Sequence, residues 1–217
     1  RNFRPHVNCV NITPDQKYLC AVDLGVDQVK IYKFNDETGK ITLVDMLRCE
    51  LESAPRIIKF SPDGRFAYLI CELKNYISVY SYKDGPRGPV FELVQTISTL
   101  NEYHSKGSAA CVLRFSRDWN YVLCSNAGDN SVGIFKIDRE TGMLEKICIL
   151  PVSGDYPKAA DFFPDNRHIM ALNHESNTMT IFRINYEKKY FSLWGKPLKV
   201  ETPNCVLVSE IEEAPKQ

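Results

Sequence analysis

Apolar and polar residues alternate with a period of two in four short runs, VKIYKF at 29–34, ISVYSY at 77–82, VGIFKI at 132–137 and MTIFRI at 179–184. That spacing puts successive side chains on opposite faces of a half-buried β-strand, and no helical periodicity competes with it. Each run closes a longer unit, and the four units align without gaps: NCVNITPDQKYLCAVDLGVDQVKIYKF, RIIKFSPDGRFAYLICELKNYISVYSY, CVLRFSRDWNYVLCSNAGDNSVGIFKI and KAADFFPDNRHIMALNHESNTMTIFRI. A turn at Pro14, Pro62, Arg117 or Pro164 joins the first strand of a unit to its second, and Asp27, Asn75, Asn130 or Asn177 marks the next turn 13 residues later. Pro presets φ, and Asp or Asn caps nearby backbone, so both links are tight. Glu37-Thr38-Gly39 and Glu140-Thr141-Gly142 lead into fourth strands, ITLVDML and LEKICIL.

The turn positions recur at intervals of 48, 55 and 47 residues. Each unit is therefore a four-stranded antiparallel meander of propeller-blade size. Such a sheet is partly apolar on both faces and must stack on neighbours, and radial closure leaves only short edges. The predicted fold is an all-β propeller domain over 1–217, with blades at 7–50, 55–104, 108–152 and 157–197 and a closing strand at 198–211. Because TPNCVLVSEI supplies a single strand of a fifth blade, upstream blades are expected to complete the ring; a closed four-bladed ring with an extra edge strand is the alternative. The recurring Phe60, Phe115, Phe163, Tyr80, Phe135 and Phe182 are expected to pack between blades. The segment TLNEYHSKGSAA at 99–110 accounts for the longer interval, as a lid or as a passive loop.

Composition narrows the function classes. With 217 residues, 44% hydrophobic and 25% charged, the chain can bury a core and is not a disordered segment. Lys plus Arg and Asp plus Glu are 27 each, so no long-range field draws in nucleic acid or an anionic membrane. Eight cysteines show neither C-x-x-C nor Cys-His metal spacing. Several sit in apolar runs such as YLICEL, as buried thiols of a reducing, cytoplasmic compartment; a disulfide framework is the alternative. No stretch of about 18 apolar residues is present to span a bilayer, and RNFRPHVN lacks a signal-peptide core.

Equivalent registers of successive blades gather round the central channel. Six residues before the first turn stand Asn8, Arg56, Cys111 and Lys158; ten after it stand Leu24, Glu72, Ala127 and His174. Strand one begins and strand two ends at the same edge of a blade, so both series should face one mouth. PHVNCVNITPDQKYLCAVDLGVDQVKIY, APRIIKFSPDGRFAYLICELKNYISVY and CSNAGDNSVGIFKIDRETG resemble the lactonase family of seven-bladed propellers, from about Arg4 to Val208. The resemblance implies seven blades in the whole protein and a His, an Arg, a Glu and a second Arg at the mouth. Arg56 and Glu72 match two of these, while Asn8 stands where the His falls and Ala127 where the second Arg falls.

Opening a lactone needs a base to activate water and a positive group to hold the developing oxyanion. Glu72 is the expected base and Arg56 the electrostatic stabiliser, with no metal or organic cofactor. Lys158 is expected to hold a phosphate or carboxylate, His174 to move a proton or bind the same anion, and His6, two residues from Asn8, to replace the missing imidazole. His104 and His168 are expected outside the site, in a loop and on a strand surface. The expected activity is hydrolysis of an anionic sugar lactone such as 6-phosphogluconolactone. The departures at Asn8 and Ala127 keep open a propeller without catalysis, serving as a ligand-binding or protein-interaction scaffold. An Arg56–Glu72 ion pair tying two strands is the purely structural alternative for that pair.

Overall fold

The computed structural model describes residues 3–104 and 106–209. Four antiparallel meanders follow one another. The first contains β1 (Val7–Ile12), β2 (Tyr18–Asp23), β3 (Gln28–Phe34) and β4 (Ile41–Arg48). The second contains β5 (Pro55–Phe60), β6 (Phe66–Cys71), β7 (Tyr76–Gly85) and β8 (Gly88–Ser98), and the third β9 (Ala110–Phe115), β10 (Tyr121–Asn126), β11 (Ser131–Ile137) and β12 (Leu144–Pro151). The fourth contains β13 (Pro157–Phe162), β14 (His168–Asn173), β15 (Thr178–Asn185) and β16 (Tyr190–Leu193), with β17 (Leu198–Lys199) also on β15. The first strands β1, β5, β9 and β13 lie side by side in that order, which makes them the inner rim of the propeller arc.

Burial follows the alternation. Val29 and Ile31 join Ile58, Leu69 and Tyr80 between the first two sheets; Ile77, Val79, Leu113 and Phe135 pack between the second and third; Ile134, Ile169 and Phe182 pack between the third and fourth. Each layer thus draws on two sheets, which is why a blade cannot be stable alone. Phe163 departs from its expected place. It is half-buried with its ring 6.3 Å from His168 of the same sheet, because its register puts it past the end of β13.

The second turn of each blade carries a latch. Asp27, Asn75, Asn130 and Asn177 all lie at left-handed φ of 52° to 57°, which Asp and Asn tolerate better than other side chains bearing a Cβ. Their side chains then reach the link to the next sheet. Asp27 accepts from the amides of Glu52 and Ala54, Asn75 donates to the Ser108 carbonyl, Asn130 accepts from the Tyr156 amide and Asn177 from the Thr202 amide. The first three latches therefore set where the next inner strand begins, and Asn177 fastens the segment after β17.

Cys20, Cys71, Cys111, Cys124 and Cys148 are buried thiols, and burial pushes Cys20 and Cys124 up to about 12. Cys9 and Cys49 are half-buried and Cys205 is exposed; all eight are unpaired by disulfides. Leu198–Lys199, the start of the expected closing strand, pair with β15, so they belong to the outer part of the fourth sheet. Residues 200–209 form no strand ladder but run beside β13, and Glu210 and Ile211 of that expectation lie outside the described residues. The 99–110 segment is tied down at its start. Asn126 and Lys146 donate to the Thr99 and Leu100 carbonyls and Asn101 to that of Ile149, which fastens it to the third sheet; Ser105 lies outside the described residues.

Candidate functional site

A β-bulge sits at the same register in all four inner strands. Pairing passes from Val7 to Cys9, from Pro55 to Ile57, from Ala110 to Val112 and from Pro157 to Ala159, leaving Asn8, Arg56, Cys111 and Lys158 as the extra residues. A bulge re-aims its side chain and breaks the strict alternation of faces. These four residues consequently form one row at the mouth. Asn8 Nδ2 donates to the Arg56 carbonyl (3.2 Å), Arg56 Nε to the Cys111 carbonyl (2.8 Å) and Lys158 Nζ to Asn204 Oδ1 (3.3 Å).

Glu72 follows β6 directly and meets Arg56 at the rim through an Arg56 Nη1–Glu72 Oε2 ion pair. The Glu72 amide donates to the Ala54 carbonyl (2.8 Å) and its own carbonyl accepts from Ala110 (3.0 Å), so the residue is clamped between two inner strands. Both side chains keep some exposure, 29% for Arg56 and 21% for Glu72. The pair is thus reachable from the channel. Cys111 is buried between the cations: burial raises its thiol pKa, Arg56 and Lys158 oppose that rise, and Glu72 adds to it.

Lys158 makes no ion pair among the described residues. Its ammonium lies over the Tyr156 ring, 5.7 Å from the centroid. His174, half-buried after β14, has Nδ1 3.3 Å from the Pro203 carbonyl, and its ring lies 6.5 Å from that of Tyr156. The Asn8, Arg56, Glu72, Lys158 and His174 positions therefore share one rim. His6 does not share a strand face with Asn8. It precedes β1, its amide donates to Asp23 Oδ1 (2.7 Å), its carbonyl accepts from Leu24 (3.0 Å) and its side chain is exposed. His104 is exposed in its loop, and half-buried His168 pairs with Asp165 at the far end of the fourth sheet (2.5 Å). Ala127 is fully buried.

Two residues at the rim escaped the sequence reading. Tyr156 lies at φ 59° directly before Pro157, as Ala54 lies at φ 53° before Pro55. The parallel between Ala-Pro-Arg and Tyr-Pro-Lys was its available signal. Asn204 takes the next place in the row from the segment after β17, where Pro203, Asn204 and Val208 meet His174, Lys158 and Asp161 in turn. Farther along β9 and β13, Arg114 Nε lies 3.5 Å from Asp161 Oδ2; burial raises the Asp161 pKa against the pull of Arg114.

Among the described residues no group of three His, Cys, Asp or Glu side chains is arranged to hold a metal, and no helix is long and apolar enough to cross a membrane. A cavity of about 240 Å³ between the second and third sheets, walled by Phe66, Tyr68 and Trp119, opens at the Pro62 end of the strands. Arg56 and Glu72 stand at the other end, so that cavity is no part of this rim.

Several known proteins resemble this chain along most of its length. The 6-phosphogluconolactonase of Bacillus subtilis is 27% identical over 206 residues, 95% of this chain and 58% of that protein. A Lactococcus lactis protein is 33% identical over 202 residues, 93% of this chain and 58% of that protein. The solved structure of the Pseudomonas aeruginosa periplasmic gluconolactonase superposes with a TM-score of 0.84 at 26% identity, covering 93% of this chain and 56% of that one. The chain thus spans little more than half the length of these relatives. A family model described as lactonase, 7-bladed beta-propeller matches residues 1–208, and on four stacked meanders and that match the chain belongs to the lactonase family of seven-bladed β-propellers.

Proposed function

We propose that the Arg56–Glu72 rim hydrolyses a sugar lactone, of the 6-phosphogluconolactone kind. The observation that carries this reading is the division of donors on Arg56. Its guanidinium has five N–H groups; Nε is held by the Cys111 carbonyl and Nη1 by Glu72, while Nη2 has no partner among the described residues and is available as a donor. Glu72 Oε1 likewise has no partner among the described residues, and in this reading it takes the attacking water.

In the proposed reaction, water attacks the lactone carbonyl as its proton passes to Glu72, and the carbonyl electrons become an oxyanion held by Arg56 Nη2. Collapse of that intermediate breaks the ring C–O bond, and the departing alkoxide takes the proton back from Glu72. The product is an open-chain hydroxy acid. Lys158, without a carboxylate partner among the described residues, binds the phosphate or carboxylate of the substrate, with His174 beside it. Asn8 lines the same approach, while His6 stands before β1 with its side chain exposed.

The Bacillus subtilis and Pseudomonas aeruginosa relatives, whose names specify lactonases, support the reaction class. Asn8 and Ala127, which carry no charge where the family has His and Arg, favour the second reading, a ligand-binding propeller without catalysis. Hydrolysis of glucono-δ-lactone followed against the spontaneous rate separates the two. Glu72→Gln is expected to cut the catalysed rate by about 10²–10⁴-fold. A wild-type rate equal to the spontaneous one would leave the binding reading.

A further inference from the structure

The row two residues before the bulges differs sharply between blades. It holds His6, Ala54, Ala109 and Tyr156, so two alanines flank the ground beside Arg56 and Cys111 and one large ring closes it on the Lys158 side. Tyr156 is held there at φ 59°, a backbone conformation that side chains with a Cβ rarely adopt and that tends to collect at functional sites. Both of its backbone groups are committed: the amide to Asn130 Oδ1 (2.8 Å), the carbonyl to the His174 amide (3.0 Å). The fold therefore fixes the backbone from which the ring projects, and Lys158 and His174 lie against the ring itself.

Tyr18, Tyr68, Tyr82 and Tyr186 each place the hydroxyl on a protein acceptor. The half-buried Tyr156 hydroxyl, like those of Tyr32 and Tyr121, has no hydrogen-bond partner among the described residues, and of these three it is the one whose ring lies against Lys158 at the mouth. The hydroxyl is not sealed from solvent, so a ligand entering the mouth can replace water on it. Burial foremost, with Cys111, Glu72 and Glu175, raises the Tyr156 pKa against the pull of Arg56, so the phenol keeps its proton at neutral pH and acts as a donor. The same neighbours place it within the field of the base and the guanidinium.

We infer that Tyr156 is a specificity-determining residue of this mouth, its phenol donating a hydrogen bond to a hydroxyl group of a polyhydroxylated lactone that lies between Lys158 and Arg56. The inference rests on the mouth proposed above and names what it selects: a sugar lactone over an unsubstituted one. A donor fixed in a half-dry site discriminates because a substrate without the matching hydroxyl leaves it unpaired.

Tyr156→Phe keeps the ring, and with it the cation–π contact to Lys158, and removes only the hydroxyl. The full chain and this variant are compared for kcat/KM on glucono-δ-lactone and on δ-valerolactone, and for calorimetric affinity toward gluconate, which cannot be hydrolysed. The ratio of the two kcat/KM values is expected to fall about three- to tenfold, through KM, and gluconate to bind about three- to tenfold more weakly. An unchanged ratio with unchanged gluconate affinity overturns the role of Tyr156 and leaves the lactonase reading standing. Tyr156-dependent gluconate binding without any catalysed hydrolysis overturns the lactonase reading and supports this one. Neither hydrolysis nor gluconate binding by the wild-type chain overturns both.

Discussion

Asp27→Asn exchanges two nearly isosteric side chains and tests how the latches place the mouth. Asp27 is the one acid among the four latch residues, and the reason is its task. Its Oδ1 accepts from the Ala54 amide and its Oδ2 from the Glu52 amide, both at 2.8 Å, in a position only 3% exposed. An amide can accept one of these bonds, and its NH₂ then opposes the second N–H. Asn130, by contrast, accepts one bond and donates another, which an amide satisfies fully. Loss of one buried charge-assisted bond costs about 1.5–3 kcal/mol. For a chain of this size that corresponds to a fall in Tm of roughly 3–12 °C. Urea unfolding followed by circular dichroism should show the lower midpoint at an unchanged slope. A variant within about 0.5 kcal/mol of wild type would refute the argument, since that is the scatter of surface substitutions. Ala54 leads through Pro55 into Arg56, so the same variant should also lose lactone hydrolysis in excess of its loss of folded protein.

Other outcomes follow from single contacts. Lys158→Met should raise KM for a phosphorylated lactone roughly tenfold or more relative to the unphosphorylated one, read from steady-state rates on both substrates. Gly128→Ala would bring a Cβ to 2.6 Å from the Gly107 carbonyl oxygen, a backbone atom that cannot swing aside, and should destabilise by about 1–3 kcal/mol in urea titration. Burial alone would raise the Asp63 pKa, but the Ser61 hydroxyl and the Arg65 amide and guanidinium outweigh it and lower the group from 3.8 to about 2. A depressed folded-state pKa contributes stability that is present above pH 4 and lost as the pH falls toward 2. Asp63→Asn should therefore flatten the dependence of Tm on pH between 4 and 2 while leaving that above pH 5 parallel to wild type.

Much of the blade was legible from local chemistry. The alternation at 29–34, 77–82, 132–137 and 179–184 and the turn residues near Pro14, Pro62, Arg117 and Pro164 act over a few residues, so a single sequence carries them in full. The latch residues Asp27, Asn75, Asn130 and Asn177 were visible as turn formers, yet their grip on the following sheet was not. That grip spans as many as 33 residues, from Asn75 to Ser108, and depends on how neighbouring blades lie.

The candidate site divides along the same line. Registers counted from the repeat set Arg56, Glu72, Lys158 and His174 at one edge of their blades, because the repeat is linear and its period survives in the sequence. Only the tertiary structure decided where those side chains aim. Counting by twos along β5 or β13 fails at the bulge, where Arg56 and Lys158 are the unpaired residues, and His6 proved to lie before its strand. The Asn8–Arg56 and Arg56–Cys111 bonds and the Lys158–Asn204 bond that ends the row join residues separated by 48, 55 and 46 positions. Contacts across blades are set by stacking three apolar layers, and the energy of that stacking belongs to pairs of sheets, not to any one stretch of chain.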